Sequence, residues 1–559
     1  MNANGSPVLR ETNLDKLARS AFDVLILGGG INGAVSAASL AARGARVALV
    51  DRGDFACATS QESSNLVWGG IKYLEGGELG LVRKLCRARN KLIRSYPASV
   101  TEIRFYASIA SGFRYGRWTL VLGAWLYWVL GGFFTRRPRV LSRRDIAREE
   151  PLVITDGLDG GFEYSDACLP DNDARFVWTF TRSALDHGCV AANYVEALGS
   201  RREGGEWVTR ARDVVSGRDL TIRSRLLVNA CGPFADEVNA RNGVKTRYRH
   251  VLSKGIHLLV DRITPRNRVL TFFADDGRLF FVIPMGPKTC IGTTDTPVHK
   301  ADVGVTAEDR RFVLDNINKR LRLPRPLEVT DVVAERCGVR PLVVEAGDKD
   351  AVDWLQLSRK HAIEVDPQTG HVTIFGGKLT DCLNVGEEIC EEARRLGVAL
   401  PYADRVWYGE PHPAVREQYF HQARLLGLDG HTAPAGDDPS ASGTPSASGM
   451  EPRSARLWRR YGAEALAMLE AIRRDPREAE VVIEASGHLR CEVEEAARRE
   501  MVVRLEDFLR RRTQIGQVVR RDDLRESAGL AEACRILFGP AADAKRAEYF
   551  AESQAGPSR

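Results

Sequence analysis

The sequence lacks the features that mark secreted, metal-binding or nucleic-acid-binding proteins. Its 11 cysteines are scattered and none forms a C-x-x-C pair, so neither a metal site nor a disulfide framework is predicted. The first twenty residues contain no apolar stretch of the kind that a signal peptide needs, and we expect none. The net charge of +6 is small for 559 residues, and no nucleic-acid-binding motif is present. These absences favour a protein of a reducing compartment that does not bind nucleic acid.

The composition is that of a large globular protein. Hydrophobic residues make up 44% of the chain and charged residues 28%. A chain of 559 residues can form two or three domains with sizeable cores.

A glycine-rich stretch between residues 22 and 51 is the most informative part of the sequence. The apolar run 24–27 is typical of a strand buried on both faces, and an alanine-rich, helix-forming run follows at 31–43. Between them, glycines are spaced as G-x-G-x-x-G, and an aspartate follows about 20 residues later, after a second apolar run. Such glycines let the backbone approach a pyrophosphate, and the aspartate accepts hydrogen bonds from a ribose diol. A dinucleotide site is therefore predicted at Gly28, Gly30, Gly33 and Asp51.

Residues 52–75 are small and polar and include the pair Gly69-Gly70, which suits a loop winding past a planar ligand. The segment resembles the second flavin-contact segment of the FAD-dependent glycerol-3-phosphate dehydrogenases, whose pattern is roughly S-x-x-S-[KR]-L-[IV]-H-G-G-[LIV]-R-Y-L. The matching positions are Ser64, Leu66, Val67, Gly69, Gly70, Ile71, Tyr73 and Leu74.

Three positions depart from this pattern. Asn65 replaces the usual basic residue, Trp68 the usual histidine and Lys72 the usual arginine. Some relatives attach the flavin covalently through that histidine, so Trp68 indicates non-covalently bound FAD. Lys72 keeps the charge of arginine but loses its bidentate geometry.

Later segments extend the resemblance. Gly232 lies in a segment similar to N-A-[AT]-G-P-W, residues 292–295 match G-T-T-D, Arg340 lies in V-R-P-L, and residues 376–380 match G-G-K-x-T. The resemblance implies a mixed α/β and α+β protein within the D-amino-acid-oxidase-like flavoproteins. Its parts would be a Rossmann-like FAD-binding domain, an antiparallel-sheet substrate cap and a helical C-terminal domain.

The expected boundaries follow from these matches. We expect a loosely held arm at 1–20 and an oxidoreductase core at 21–400. Within the core, FAD would be bound by about 21–100, 170–250 and 360–400, and the cap would span about 250–360. A low-complexity linker at 427–454 would interrupt a helical domain at 404–426 and 455–530, and a tail would follow at 531–559.

The resemblance also implies the FAD-contacting residues. Val195 would bind the adenine through its backbone, and Gly232 would let the chain pass the pyrophosphate. The full set is Gly28, Gly30, Gly33, Asp51, Arg52, Thr59, Ser60, Ser64, Gly69, Gly70, Ile71, Val195, Gly232, Gly377, Leu379 and Thr380.

One apolar stretch, residues 118–134 within the segment 114–139, stands out by its three tryptophans and its flanking arginines. As a helix of about 17 residues it would be roughly 26 Å long, at the short limit for crossing a bilayer core. Aromatic residues with basic flanks favour a helix lying in one leaflet over a buried core helix or a true span. Members of the resembled family associate with membranes through this region.

Oxidation of a secondary alcohol needs a base, a donor for the growing oxygen charge and a handle for the rest of the substrate. The resemblance assigns the phosphate handle to Arg340 and Arg359 and the base to His257. Lys378 would stabilise either the alkoxide or the reduced flavin at N1. Lys72 and Tyr73 are lesser candidates for substrate contact.

The resemblance implies oxidation of sn-glycerol 3-phosphate to dihydroxyacetone phosphate, with hydride transfer to flavin N5 and electrons passing to membrane quinone. The enzyme would lie peripherally on the cytoplasmic face of the membrane and could form a homodimer. A glycerol-3-phosphate oxidase using O₂ and a non-catalytic, membrane-tethered flavoprotein sensor are the alternatives. The departures at 65, 68 and 72 also leave a related polyol phosphate open as the substrate.

Overall fold

The computed structural model describes residues 9–274, 277–345, 360–430 and 451–552. Arg359 and most of the low-complexity segment 427–454 lie outside the described residues.

The strands are β1 (Ala21–Leu27), β2 (Val47–Val50), β3 (Leu66–Val67), β4 (Thr101–Ala110), β5 (Arg139–Leu141), β6 (Leu158–Cys168), β7 (Val190–Ala192), β8 (Val195–Glu203), β9 (Glu206–Asp213), β10 (Asp219–Asn229), β11 (Tyr248–Asp261), β12 (Arg268–Phe273), β13 (Leu279–Met285), β14 (Lys288–Gly292), β15 (Thr296–Val298), β16 (Ala334–Glu345), β17 (Ala362–Asp366), β18 (His371–Phe375), β19 (Val481–Ile483) and β20 (His488–Leu489).

The helices are α1 (Leu9–Arg19), α2 (Ile31–Ala42), α3 (Leu79–Ser95), α4 (Arg117–Leu130), α5 (Arg143–Glu149), α6 (Asp173–Asp186), α7 (Ala235–Arg241), α8 (Ala307–Asn318), α9 (Cys382–Arg395), α10 (Pro413–Leu425), α11 (Arg453–Tyr461), α12 (Ala465–Arg474), α13 (Arg490–Arg499), α14 (Ile515–Val518), α15 (Arg521–Glu526), α16 (Ala528–Phe538) and α17 (Ala542–Glu552). A π-helical turn covers Asp507–Arg512.

The first sheet is the predicted dinucleotide-binding sheet. Its strand order is β17-β18-β10-β1-β2-β7, and β18, β10, β1, β2 and β7 are parallel neighbours. β1 and β2 are almost wholly apolar and buried between packed layers, as parallel strands require. The carboxyl ends of these strands lie at one edge of the sheet, where the glycine-rich turn follows β1.

The second sheet has ten strands and is mostly antiparallel. The predicted cap strands β11 to β16 are in it, including the hairpin of β13 and β14. The sheet also contains β3 to β6, which the expected cap boundaries of 250–360 left out. They join because β12 pairs with β4 in parallel, a contact between residues more than 160 positions apart that leaves no local trace in the sequence.

Two terminal segments differ from their expected state. Residues 9–19, expected to be a loosely held arm, form helix α1, whose Leu14 and Leu17 are buried against the first sheet. The described part of the expected tail, residues 531–552, contains the end of α16 and all of α17, and both helices contribute side chains to the C-terminal core.

Helix α4 has apolar side chains on both faces. Val121, Ala124 and Tyr127 are buried against the second sheet, whereas Trp118 is 65% and Leu122 70% exposed. Other large apolar side chains on the outer side are Trp125, Leu126, Val129 and Phe133. Within the part of the chain that the structure describes, no helix has both the length and the apolar character needed to cross a membrane.

Asp54, which is 1% exposed, links the C-terminal domain to the first sheet through buried hydrogen bonds. Its carboxylate accepts hydrogen bonds from Arg511 (2.7 Å), from both terminal nitrogens of Arg512 (2.8 Å each) and from Asn193 (2.8 Å). Burial alone would raise the pKa of Asp54, but Arg512 and Arg511 hold that pKa below its usual value. The carboxylate is therefore ionised and is shared by two buried cations, of which Arg511 also binds Asp507.

We predict that D54A destabilises the protein strongly, because it leaves two guanidinium groups buried without their shared anion. The expected loss is about 3–5 kcal/mol of unfolding free energy, seen as a lower midpoint in thermal or denaturant unfolding. The control is D219A, which removes an exposed partner of Arg212 and is expected to leave the unfolding midpoint nearly unchanged. Equal midpoints for the two variants would contradict this account of the domain contact.

Candidate active site

The turn after β1 brings backbone into contact with backbone. Gly28 has φ +98, and a Cβ there would lie 2.6 Å from the carbonyl oxygen of Ala230. A Cβ at Gly30 would lie 3.1 Å from Ser60 Oγ, which accepts a hydrogen bond from the N–H of Ile31 at the start of α2. The turn therefore requires glycine, and it presents the N-terminus of α2 at the strand ends.

Asp51 follows β2 and lies beside this turn. Its carboxylate accepts hydrogen bonds from the N–H groups of Gly29 (2.6 Å) and Gly53 (2.9 Å). Burial raises the pKa of Asp51 to about 6, against the effect of these two donors. Each carboxylate oxygen keeps a lone pair for a further donor, as the ribose of a dinucleotide would supply. The neighbouring Arg52 has its guanidinium 4.0 Å from the ring centroid of Phe234.

The predicted adenine and pyrophosphate contacts lie along the same edge. The N–H of Val195 donates to Asp51 O at 2.7 Å, so a contact of this residue with adenine would use its carbonyl group. Gly232 has φ +54, and a Cβ built on it meets no atom within 4 Å. This open space, the Cβ-free turn and the carboxylate together fit an extended FAD.

The loop 64–74 differs in one respect from its prediction. The N–H of Gly69, expected to face the flavin ring, donates to Asp166 Oδ1 at 3.1 Å. Asp166 is buried and also binds Arg89 (2.6 Å) and Tyr127 (2.7 Å). Gly70 has φ +80 and leads into the short 3-10 helix Ile71–Leu74, which carries Lys72 and Tyr73. Trp68 Nε1 donates to Tyr164 Oη at 3.3 Å.

A second glycine loop, Gly376-Gly377-Lys378, follows β18 and leads into α9. Asn32 in the first turn of α2 donates its Nδ2 to Gly376 O at 2.9 Å. Thr380 Oγ1 donates to Trp68 O at 3.1 Å. Both glycines have positive φ, and Leu379 begins the short helical turn before α9. The loop is therefore held against both the dinucleotide turn and the flavin-contact loop.

Lys378 is directed toward the loop 64–74. Its Nζ lies 4.2 Å from the ring centroid of Tyr73 and 5.2 Å from that of Trp68. The sequence predicted a cation here, and the structure brings it next to two aromatic rings from the flavin-contact loop.

The face of β11 and β16 carries the other predicted catalytic residues. In this antiparallel pair Ser253 is opposite Arg340, Gly255 is opposite Gly338, and His257 is opposite Arg336. Side chains alternate between the two faces along a strand, and directly opposite residues point to the same face. These three pairs, spaced two residues apart, therefore share one face. A Cβ on Gly255 would collide with the Arg340 guanidinium, so the glycine lets that side chain lie on the sheet.

Arg340 and His257 differ in their surroundings. Arg340 donates to Thr293 Oγ1 (2.8 Å) and Thr294 O (3.1 Å), which lie in the predicted G-T-T-D segment. His257 is 2% exposed, and burial together with the charges of Arg340 and Arg336 lowers the pKa of His257 well below its usual value. The imidazole is therefore neutral at physiological pH, which is the form that accepts a proton.

The remaining predicted residues are placed less decisively. Thr59 Oγ1 donates to Val339 O at 2.6 Å and so ties the cofactor loop to the cap. Ser64 lies in the same loop, and Arg359 lies outside the described residues. Asn32 and Arg336 were not predicted. Asn32 lies inside the glycine motif, whereas Arg336 gives no signal in the sequence, because residue type alone does not distinguish a buried arginine from an exposed one.

The sheet topology, the Cβ-free turn and the carboxylate after β2 define an FAD-dependent oxidoreductase. Family comparison agrees: residues 23–398 match the FAD dependent oxidoreductase family, and residues 422–535 match the C-terminal domain of alpha-glycerophosphate oxidase.

Individual relatives show which FAD-dependent oxidoreductases the chain is similar to. The chain is 32% identical to glycerol-3-phosphate dehydrogenase 2 of Mycobacterium tuberculosis, over 91% of this chain and 83% of that protein. It is 33% identical to the aerobic glycerol-3-phosphate dehydrogenase of Bacillus subtilis, over 70% of each. The fold is similar to the glycerol-3-phosphate dehydrogenase of Bacillus halodurans complexed with FAD, with a TM-score of 0.71, 23% identity and coverage of 99% and 98%. The chain belongs to the FAD-dependent glycerol-3-phosphate dehydrogenase family.

We predict that FAD binding weakens as the pH falls through about 6, because protonation of Asp51 removes its acceptor for the ribose hydroxyls. FAD favours the ionised form, so the apparent Kd for FAD should rise on the acid side. D51N should bind FAD roughly tenfold to a hundredfold more weakly and lose this pH dependence. The measurement is fluorescence titration of the apoprotein with FAD.

The matched control is D261N, which changes an aspartate that is 71% exposed. It should reproduce the affinity and the pH dependence of the unaltered protein. A D51N protein that keeps the same acid-side weakening would show that another group titrates.

Proposed function

We propose that this protein oxidises sn-glycerol 3-phosphate to dihydroxyacetone phosphate at non-covalently bound FAD and passes the electrons to a membrane quinone. The observation that carries the proposal is the row of Arg340 and His257 on one face of the cap, together with Lys378 at the flavin-contact loop. When bound, FAD would supply the two-electron acceptor for the hydride of the carbinol carbon.

The roles of the side chains follow from their chemistry. Arg340 can bind the phosphate dianion through two parallel N–H donors. His257, neutral and buried, takes the hydroxyl proton as the carbon–hydrogen bond breaks. The ammonium of Lys378 stabilises the negative charge that develops on the oxygen. His257 is thus in the neutral form that its role requires.

Non-covalent attachment of FAD is supported by Trp68. An indole nitrogen carries its lone pair in the ring and does not form the bond that a histidine nitrogen forms with a flavin methyl carbon. Trp68 also uses its N–H to donate to Tyr164.

The membrane part of the proposal is supported by helix α4. Its outer face exposes Trp118, Leu122 and Trp125, spaced as one side of a helix. Arg136, Arg137 and Arg139 lie around a groove shared with Trp125, where anionic lipid headgroups would be attracted. We propose that α4 lies in the cytoplasmic leaflet, so that a lipid-soluble acceptor can reach the enzyme.

We predict that glycerol 3-phosphate, added without oxygen, bleaches the long-wavelength flavin absorbance of the purified protein. A soluble quinone should restore the colour faster than air does. R340Q should need a much higher substrate concentration for the same bleaching, since the loss of a charge-assisted contact to phosphate costs roughly a hundredfold in kcat/KM.

The alternatives give different results in the same experiment. Recovery as fast with air as with quinone would favour a glycerol-3-phosphate oxidase. No bleaching by this substrate or by other phosphorylated polyols, with FAD bound, would contradict the proposal and favour the sensor.

We also predict that L122E separates membrane binding from chemistry. A buried charge in the leaflet is unfavourable, so the variant should lose binding to anionic vesicles and turnover with membrane quinone. Bleaching by the substrate in solution should be unchanged. The control is L425E, because Leu425 is 72% exposed at a site outside α4 and Leu122 is 70% exposed. Vesicle binding by L122E equal to that of L425E would contradict the assignment of α4.

A further inference from the structure

The side chain of Arg336 is wholly buried and joins three parts of the molecule. Its backbone belongs to β16 of the cap. Nη1 donates to Ser63 O and, at 2.9 Å, to Asn65 Oδ1, both in the cofactor loop that runs on to Trp68 and Gly70. Nη2 donates to Gln517 Oε1 at 2.8 Å, in the C-terminal domain.

The anion that balances Arg336 is bound to the same loop. Asp173 Oδ2 lies 3.9 Å from Arg336 Nη1 and accepts hydrogen bonds from Ser63 N (2.9 Å) and Ser63 Oγ (2.8 Å). Asp173 and Arg336 thus bind opposite polar groups of one serine, its N–H and hydroxyl on one side and its carbonyl on the other. A buried charge pair with such partners fixes geometry, because each partner lost leaves a charge unsatisfied.

Asn65 is matched to this arginine. It is 3% exposed and has φ +57, a conformation that asparagine tolerates better than most residues. Its Oδ1 accepts from Arg336 and its Nδ2 donates to Asp171 O at 2.6 Å. The resembled pattern has a basic residue at this position. A lysine here would place its ammonium against the Arg336 guanidinium in a buried site, so the two cations exclude each other.

We propose that Arg336, on cap strand β16, is a positioning residue that takes the place of a cation at position 65. It holds the loop 63–65 between the cap strand opposite His257 and the C-terminal domain. Its effect on turnover rests on the proposed function, whereas its effect on the loop does not.

The first test compares R336M with R268M by hydrogen exchange of the FAD-free protein. Arg268 is a comparably buried arginine of the cap sheet, paired with Glu149 and Glu150. R336M should raise exchange of peptides covering 61–70 roughly tenfold or more, and R268M should not. The apparent Kd for FAD should rise in R336M only.

The second test moves the cation. The double variant N65K/R336M should recover slow exchange of the loop and the FAD affinity of the unaltered protein. N65K alone should be worse than the unaltered protein in both measurements. In turnover with glycerol 3-phosphate, R336M should lower kcat while KM changes by less than about threefold, because Arg336 does not contact the substrate.

Equal exchange of 61–70 in R336M and R268M, or no recovery in N65K/R336M, would overturn the proposal. If R336M does not fold, the N65K variant tests the proposal by itself. Normal exchange and normal FAD affinity in N65K would show that the two cations are compatible and would overturn the proposal. Loss of activity in every variant, with the exchange results as expected, would count against the proposed reaction and not against this role of Arg336.

Discussion

Close backbone approach at the turn after β1 is the constraint on which the rest of the site depends. Gly28 packs on the carbonyl of Ala230, which leaves no space for a side chain at this position. This contact sets where α2 begins, and the first turn of α2 then fixes two further segments. Ser60 accepts from Ile31 N, and Asn32 donates to Gly376 O, so the cofactor loop and the second glycine loop both take their position from one helix end. A side chain larger than hydrogen at the turn would displace all three together.

The cap places charged side chains over two glycines of its inner face. Gly255 and Gly338 face each other at the centre of its inner face, and the guanidinium of Arg340 and the side chain of Glu62 cover them. Arg340 and His257 lie on this face, and Arg336, which is opposite His257 in the strand pair, is covered by the cofactor loop. Burial, together with the charges of Arg340 and Arg336, lowers the pKa of His257, so the imidazole on this face is neutral.

Local signals explain what could be predicted from the sequence. The dinucleotide unit was predictable because strand, glycines, helix and Asp51 are neighbours in the chain. The pairing of β4 with β12, the fastening of Asp54 to Arg511 and Arg512, and the burial of Arg336 are contacts between distant residues, for which the sequence carries no periodic pattern. Gly69 shows the same limit: its glycine was predictable, but the partner of its N–H was not, because Asp166 is brought there by a strand of the second sheet.

The same aspartate links the outer helix to the flavin-contact loop. Tyr127, on the buried face of α4, donates its hydroxyl to Asp166 at 2.7 Å, and Asp166 accepts the N–H of Gly69 at 3.1 Å. Arg89 neutralises the carboxylate from α3. Helix α4, which has an exposed apolar face, is thus connected to the loop proposed to contact the flavin by two hydrogen bonds to one buried carboxylate. A displacement of α4 would break the hydrogen bond from Tyr127 to this carboxylate, and the same carboxylate accepts the N–H of Gly69. The buried face of α4 and the loop proposed to contact the flavin therefore depend on one buried anion for their relative position.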